Sequence, residues 1–283
     1  LGKLSLVLGA GNIAAIAPLD CLHKLFAEHR CVILKMSPVN DYLADYLDAA
    51  LRPLIDFGAL RIVKGGVAVG EYLCTHRDID EIHITGAVAS HDAIVWGGGD
   101  EGRKNKAAGT PKNSRRVSAE LGAVCPTIVV PGPWSDADLS FQAEQIASQK
   151  LHNSGFNCIA CQMLILPADW AKSDALLAHI KRVMAGAPPR PAYYPGAEQR
   201  MQAFAGHGHG GHGGDGGGAE HYQSQGAAGC VVVPLAEGNS DYLEKNEVFA
   251  PAFSINRLPG HDPAAYLADA IRYANESLQG SLG

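Results

Sequence analysis

The residues of this chain that could do chemistry are seven cysteines, twelve histidines and a few carboxylates set beside glycine turns. Cys158 stands apart from the other thiols. It follows the turn-forming stretch 153–157 ("NSGFN") and precedes the apolar run 161–167 ("CQMLILP"), so its sulfur lies where a turn meets a buried strand. A thiol at such a turn can be reached from solvent, and its thiolate attacks electrophilic carbon. Two other readings compete. Free cysteine packs as a small hydrophobe, and Cys158 and Cys161 have CxxC spacing. A redox CxxC usually opens a helix, whereas this one enters a β-rich run. A zinc site needs two further ligands, and no second CxxC or spaced His pair lies outside one glycine loop. Cys21, Cys31, Cys74, Cys125, Cys161 and Cys230 sit in apolar or mixed surroundings and read as core.

That glycine loop, 205–221, holds His207, His209, His212 and His221. Clustered imidazoles bind Zn, Ni or Cu, but glycine on every side gives no rigid support for a ligand set, so it reads as a flexible surface loop and no metal ligand is assigned.

Positioning these groups falls to an alternation of short β-rich runs and helical segments. The runs "LSLVLG", "CVILK", "LRIVK" and "EIHIT" alternate with "APLDCLHKLFAEHR", "DYLADYLDAALRPLIDFG" and "GEYLCTHRDID" up to about residue 97. This pattern predicts right-handed βαβ crossovers and a parallel sheet, an α/β fold of nucleotide-binding type. Residues 97–116, polar and rich in Gly and Lys, read as an exposed loop. After "VSAELG" a second series begins near residue 122, with strand "TIVV", helix "DADLSFQAEQIASQKLHN", strand "CQMLILP" and helix "DWAKSDALLAHIKRVMAG". Ser135, Asp136 and Asp138 open the first of these helices with acceptors and negative charge.

Bulk properties narrow the function. The chain of 283 residues is long enough for two domains, and its 47% hydrophobic and 18% charged residues are ordinary for a globular protein. A net charge of −6 without a basic stripe speaks against nucleic acid as partner and for a small molecule. No run approaches the ~20 apolar residues of a membrane span. An odd number of scattered cysteines suits the reducing cytoplasm. The opening "LGKLSLVLG" reads as the middle of a fold, and the chain is expected to be a fragment truncated at both ends.

Several separated motifs then agree in order. "ELG" at residues 120–122 precedes "NSGFNC", and "EVFAP" follows at 247–251; upstream lie "GAGN", "VILKMSP", "KGGVAVGEYL" and "ITGA", and downstream "ANESLQGSL". This series resembles the aldehyde dehydrogenase superfamily, from residue 6 to the end of the chain. The resemblance implies two Rossmann-related α/β domains with a cleft between them: a dinucleotide-binding domain at 1–121 and a catalytic domain at 122–283. It implies NAD(P)-dependent oxidation of an aldehyde to a carboxylic acid through a cysteine thiohemiacetal and thioester. Cys158 would be the nucleophile, Glu120 the general base of hydrolysis, and the amide of Asn12, with the Cys158 backbone N–H, the oxyanion donor. Lys35, Gly66, Gly70, Thr85, Gly86, Glu247 and Phe249 would bind NAD or NADP. The full-length parent is expected to form homo-oligomers. The alternative is an aldehyde dehydrogenase-like binding or structural protein without activity.

Departures from the family pattern touch the cofactor side most. Phe156 stands where the family has Gln, Gly11 where it has Trp and Ala250 where it has Gly. Ala87 removes a hydroxyl, and His91 replaces a glycine near the dinucleotide. Residues 36–40 ("MSPVN") carry no carboxylate to repel a 2′-phosphate, so NADP is tolerated as well as NAD.

Overall fold

The computed structural model describes residues 2–188, 190–209, 218–222, 229–236, 238–260 and 262–280. The chain divides into two compact units, Leu1–Leu121 and Gly122–Gly283.

In the first unit, β1 (Lys3–Leu8), β2 (Arg30–Lys35), β3 (Leu60–Val63), β4 (Glu81–Gly86) and β5 (Arg116–Leu121) form one parallel sheet in the order β3-β2-β1-β4-β5. This is a doubly wound sheet whose strand order reverses between β1 and β4. The connections are α1 (Ile16–Leu22), α2 (Ala44–Ala50), α3 (Arg52–Asp56), α4 (Val67–Thr75), α5 (Val88–Trp96) and α6 (Gly99–Ala108). Successive residues of β1 face opposite layers. Val7 packs with Ala17, Cys21, Val32 and Leu34, whereas Leu6 packs with Cys74, Ile79 and Ile82. Burial on both faces explains why these strands read as continuous apolar runs.

Residues 97–116, expected to be a loop, contain α6. Its signals are local: Asp100 and Glu101 in the first turn, Lys106 in the last, and Gly109 beyond the end in the left-handed conformation at φ 66°. Gly102 is required there, because a Cβ would overlap the carbonyl of Gly97. The helix is polar on nearly every side, which hid it behind its glycines and lysines. Helix α4 starts at Val67, ahead of the expected segment, with Gly66 as its N-cap.

In the second unit, β6 (Pro126–Ile128), β7 (Met163–Pro167), β8 (Glu220–Tyr222), β9 (Cys230–Pro234) and β10 (Ala252–Leu258) are ordered β6-β7-β10-β9-β8, with only β8 antiparallel. Helices α7 (Asp136–Leu151), α8 (Ser173–Gly186), α9 (Ala197–Gly206), α10 (Ser240–Leu243) and α11 (Pro263–Ser277) complete it. Leu164 and Leu166 of β7 pack in the layer of α7 and α8, and Met163 and Ile165 in that of α11. A capping box opens α7: Ser135 Oγ accepts from the Asp138 N–H at 3.2 Å, and the Asp138 carboxylate accepts from the Ser135 N–H at 2.7 Å.

Five of the six cysteines expected in the core are buried; Cys31 is exposed, since it lies near the open N-terminal end of β2. His207 stacks on Tyr242 with ring centroids 3.8 Å apart, and His221 is described, but His212 and the side chain of His209 lie outside the described residues. Among the described residues no three His, Cys, Asp or Glu side chains gather as a metal-ligand group, and no helix is long and apolar enough to cross a membrane.

Candidate active site

Because all five strands of the first unit run parallel, their C-terminal ends share one edge. Asn12 follows β1, Lys35 ends β2, Gly66 follows β3, Thr85 and Gly86 end β4, and Glu120 lies at the end of β5. The six residues were inferred from separate motifs; parallel pairing brings them to the edge where doubly wound sheets take their ligands.

Local contacts shape that edge. The β1–α1 turn carrying Asn12 is tied down by buried Asn40, whose side-chain amide donates to the Ala10 carbonyl at 3.1 Å, and the Gly9 N–H donates to the Lys35 carbonyl at 3.0 Å. Lys35 is buried, and desolvation lowers its pKa while Asp41 works against the shift. Gly66 caps α4 and Gly70 lies in its first turn, and a Cβ on either would meet no atom of this chain within 4 Å. Internal packing therefore does not demand glycine at these two positions. Glu120 is exposed, and His91, in the first turn of α5, lies 3.4 Å from Asp92 Oδ1.

In the second unit, taken by itself, the thiol lies ahead of β7, at the N-terminal end of its strand. Asn153, Ser154 and Gly155 have φ of 50°, 53° and 76° in succession, a left-handed turn that Asn and Gly accept and Ser adopts at a cost of about 1–2 kcal/mol. The turn is held by its surroundings. Asn153 donates to the Phe156 carbonyl at 3.1 Å and accepts from the Tyr193 hydroxyl at 3.0 Å, and a Cβ on Gly155 would come 2.6 Å from the Ala250 carbonyl carbon. Phe156, which departs from the family pattern, is fully buried against Tyr193, Tyr194 and Phe249. Cys158 emerges half-buried after this turn, and its backbone carbonyl accepts from the Cys125 thiol at 3.0 Å. Cys125 lies just before β6, and Glu247 in the segment leading to β10, so the N-terminal edge of the second sheet gathers thiol and carboxylate.

Glu247 lies tight against the backbone: a Cβ on Gly122 would overlap its carboxylate. Its Oε1 is buried without a hydrogen-bond partner. Burial pushes the carboxyl up to about 7, with Lys150 and Arg200 opposing. Phe249 has φ 42° and packs on Tyr194 with centroids 5.0 Å apart.

Sequence reasoning missed the residues that hold Glu247. Buried Gln162 donates to the Asn246 carbonyl at 2.7 Å and accepts from the Val248 N–H at 2.8 Å, gripping both neighbours of the carboxylate. Arg200 of α9 donates to the carbonyls of Val248 at 2.9 Å and Phe249 at 3.1 Å. Lys150, in the last turn of α7, is buried; desolvation lowers its pKa, while Cys161, Cys230 and Glu247 favour its charge. Gln162 was in view, adjoining the CxxC, but partners more than eighty residues away give no local signal.

The first unit is a doubly wound parallel sheet, and in the second the Cys158 turn and the buried Glu247 both precede strands of one sheet. The sequence profile of the Aldehyde dehydrogenase family matches residues 23–282, and this chain belongs to that family. A mouse protein, "Aldehyde dehydrogenase, dimeric NADP-preferring", is 29% identical over 155 residues, 55% of this chain and 30% of the relative. The Arabidopsis thaliana mitochondrial succinate-semialdehyde dehydrogenase is 26% identical over 242 residues, 82% of this chain and 42% of the relative. The crystal structure of an NAD-dependent aldehyde dehydrogenase from Sinorhizobium meliloti superposes with a TM-score of 0.68 at 20% identity, covering 95% of this chain and 52% of that one. An indole-3-acetaldehyde dehydrogenase structure with NAD+ gives 0.69 at 20% identity, covering 97% and 54%. The fold is that of the aldehyde dehydrogenases, and the chain spans about half the length of these solved relatives or less of the curated ones.

Proposed function

We propose that this chain carries the machinery of an NAD(P)-dependent aldehyde dehydrogenase that oxidises an aldehyde to a carboxylic acid. Cys158 is the nucleophile, Glu120 the general base and Asn12 the side-chain donor to the oxyanion. The observation that carries this reading is the half-buried thiol set at the end of a rigid left-handed turn, a placement that spares it the inert fate of the five buried cysteines.

In this mechanism the thiolate of Cys158 adds to the aldehyde carbon, and the carbonyl electron pair moves onto oxygen. Asn12 donates to that oxygen, a contact of a type worth about 3 kcal/mol. A bound NAD or NADP would supply the hydride acceptor that turns the Cys158 thiohemiacetal into a thioester. Glu120 then takes a proton from water as the water oxygen bonds to the thioester carbon. Collapse of the adduct breaks the C–S bond, releases the acid and restores the Cys158 thiolate.

The residues present suit a dinucleotide. Gly66 and Gly70 leave room above the first turn of α4, where free amides attract phosphate. Lys35, Thr85 and Gly86 share that edge, and the unpartnered Oε1 of Glu247 is an acceptor suited to a ribose hydroxyl, with Phe249 beside it. Both NAD and NADP serve in this proposal, because residues 36–40 carry no carboxylate. Self-association is proposed from the word "dimeric" in the mouse relative's name.

A panel of aldehydes assayed on the intact protein with NAD and NADP, by absorbance of the reduced cofactor, tests this. Turnover that disappears in Cys158→Ala while cofactor binding persists is the expected result. Turnover retained by that variant, or no binding of either dinucleotide, would overturn it.

A further inference from the structure

A polar cluster in the first unit includes Asp20, His83 and Ser118, which have no part in the roles assigned above. On one face of the sheet, Val7 of β1 pairs in register with Leu34 of β2, and both are fully buried, as expected where helices cover a parallel sheet. On its other side Val7 pairs with His83 of β4. From there the face turns polar. Ser118 of β5, the register partner of His83, places its Oγ 2.9 Å from His83 Nδ1, so these two side chains point the same way. Side chains alternate along a strand, so Thr85 and Glu120, two residues further on and themselves register partners, share that face.

Asp20 closes the cluster from α1. Thr85 Oγ1 donates to Asp20 Oδ2 at 3.0 Å, and His83 Nε2 lies 3.5 Å from the same oxygen and 3.4 Å from Thr85 Oγ1. The His83 and Asp20 side chains are only 13% and 19% exposed. Ionisable groups so placed between a helix and a sheet displace apolar packing and need a reason. The strip continues to the far edge. Lys24 lies 3.4 Å from Ser118 Oγ and pairs with Glu28 at 2.8 Å and Glu81 at 3.3 Å, while Arg30 and Arg116 face Glu81 at 3.5 and 3.4 Å. Those cations and carboxylates pair among themselves, whereas Asp20 and His83 both contact Thr85, the register partner of Glu120.

The geometry points to a proton relay in which Thr85, Asp20 and His83 take up the proton that Glu120 removes from the hydrolytic water. It rests on the reading of Glu120 as general base. Protonated Glu120 gives its proton to Thr85 Oγ1 as the Thr85 hydroxyl proton passes to Asp20 Oδ2. Asp20 passes that proton to His83 Nε2. The relay requires the ring to carry its own proton on Nδ1, donated to Ser118 Oγ 2.9 Å away, so that Nε2 offers a lone pair. The end state is an imidazolium beside a carboxylate, with Glu120 again ionised, and the ring later releases the proton to water. Asp20, Thr85 and His83 act through Glu120 and are positioning residues of the hydrolytic half-reaction.

Rapid-mixing kinetics on the intact protein separate the two halves. In His83→Gln and Asp20→Asn, the first-turnover burst of reduced cofactor keeps its rate and amplitude. Steady-state kcat falls about tenfold, less than the ~10²- to 10⁴-fold of a positioned base, and its pH dependence shifts. Added imidazole restores part of kcat in His83→Ala. A 15N spectrum of the histidines, with His83 assigned from His83→Gln, shows Nδ1 protonated at rest and moves when Glu120→Gln is introduced. Unchanged kcat and pH profile in both relay variants, while Glu120→Gln stops turnover after the burst, would overturn the relay and leave Glu120 as base. Unimpaired turnover in Glu120→Gln would overturn both. A His83 variant that loses the burst and steady state alike would show a structural role and also reject the relay.

Discussion

Glu247 occupies the space that a methyl group on Gly122 would need. The carboxylate is thus packed against bare backbone, with one oxygen buried and unpartnered, at the start of the second unit. Gly122→Ala must expel Glu247 or shift its loop. The expected result is a rise in the Michaelis constant for NAD(P) of about tenfold, the equivalent of one lost charge-assisted hydrogen bond of ~1.5 kcal/mol. Dinucleotide titration of the variant, with Glu247→Gln in parallel, measures it, and unchanged affinity in both would remove Glu247 from the cofactor site.

The same carboxyl makes stability depend on pH with a defined sign. Its folded value is raised to about 7 from an ordinary 4.5. Between those limits the folded chain keeps a proton that the unfolded chain has released. Its contribution is therefore full below about pH 4.5 and is lost as pH rises through about 7. Urea unfolding from pH 4 to 8 should show the native protein losing stability relative to Glu247→Gln across that window, by at most on the order of 3 kcal/mol.

Thiol accessibility separates the cysteines. Cys31 is exposed and Cys158 half-buried, whereas Cys21, Cys74, Cys125, Cys161 and Cys230 are buried. Burial raises the pKa of the Cys125 thiol to about 12 and that of Cys74 to about 11, which leaves both inert near neutrality. Brief iodoacetamide treatment of the folded protein should label Cys31 and Cys158 only, as read by peptide mass spectrometry. Activity should fall with labelling of Cys158 and should survive in Cys31→Ser.

Gly155→Ala combines two penalties, a φ of 76° and a Cβ 2.6 Å from the Ala250 carbonyl carbon. We expect a loss of more than about 2 kcal/mol in denaturant unfolding, together with slower alkylation of Cys158 as the turn is pushed away.

Lys24 is buried between Glu28 and Glu81 on the sheet face of the first unit. Lys24→Ala leaves Glu81, itself 5% exposed, without this partner, and should cost about 3–5 kcal/mol in unfolding experiments. A double variant that also replaces Glu81 with Leu should recover much of that loss.

How much of this was legible depends on the range of the contacts involved. The β-rich runs from "LSLVLG" to "EIHIT" became β1 to β4 because a strand buried on both faces writes its burial into consecutive residues. Helix α6 was hidden, since the glycines and charges that cap it are also the composition of a loop. Cys31 misled for a related reason: its apolar neighbours describe the strand, whereas its exposure depends on where the covering layer stops. Asn40, Gln162 and Arg200 bond to backbone thirty to eighty-six residues away, and the Asp20–Thr85 bond spans sixty-five. Such groups are ordinary polar residues until the fold supplies their partners.

Gln162 grips the peptide on either side of Glu247 and stands in the same short stretch as the thiol. Exchanging the cysteine turn for that of a relative would transplant one jaw of a clasp without the other. Chimeras that swap 153–162 and 246–250 together should remain intact where single swaps fail, so over mutational time the two stretches behave as one inherited part.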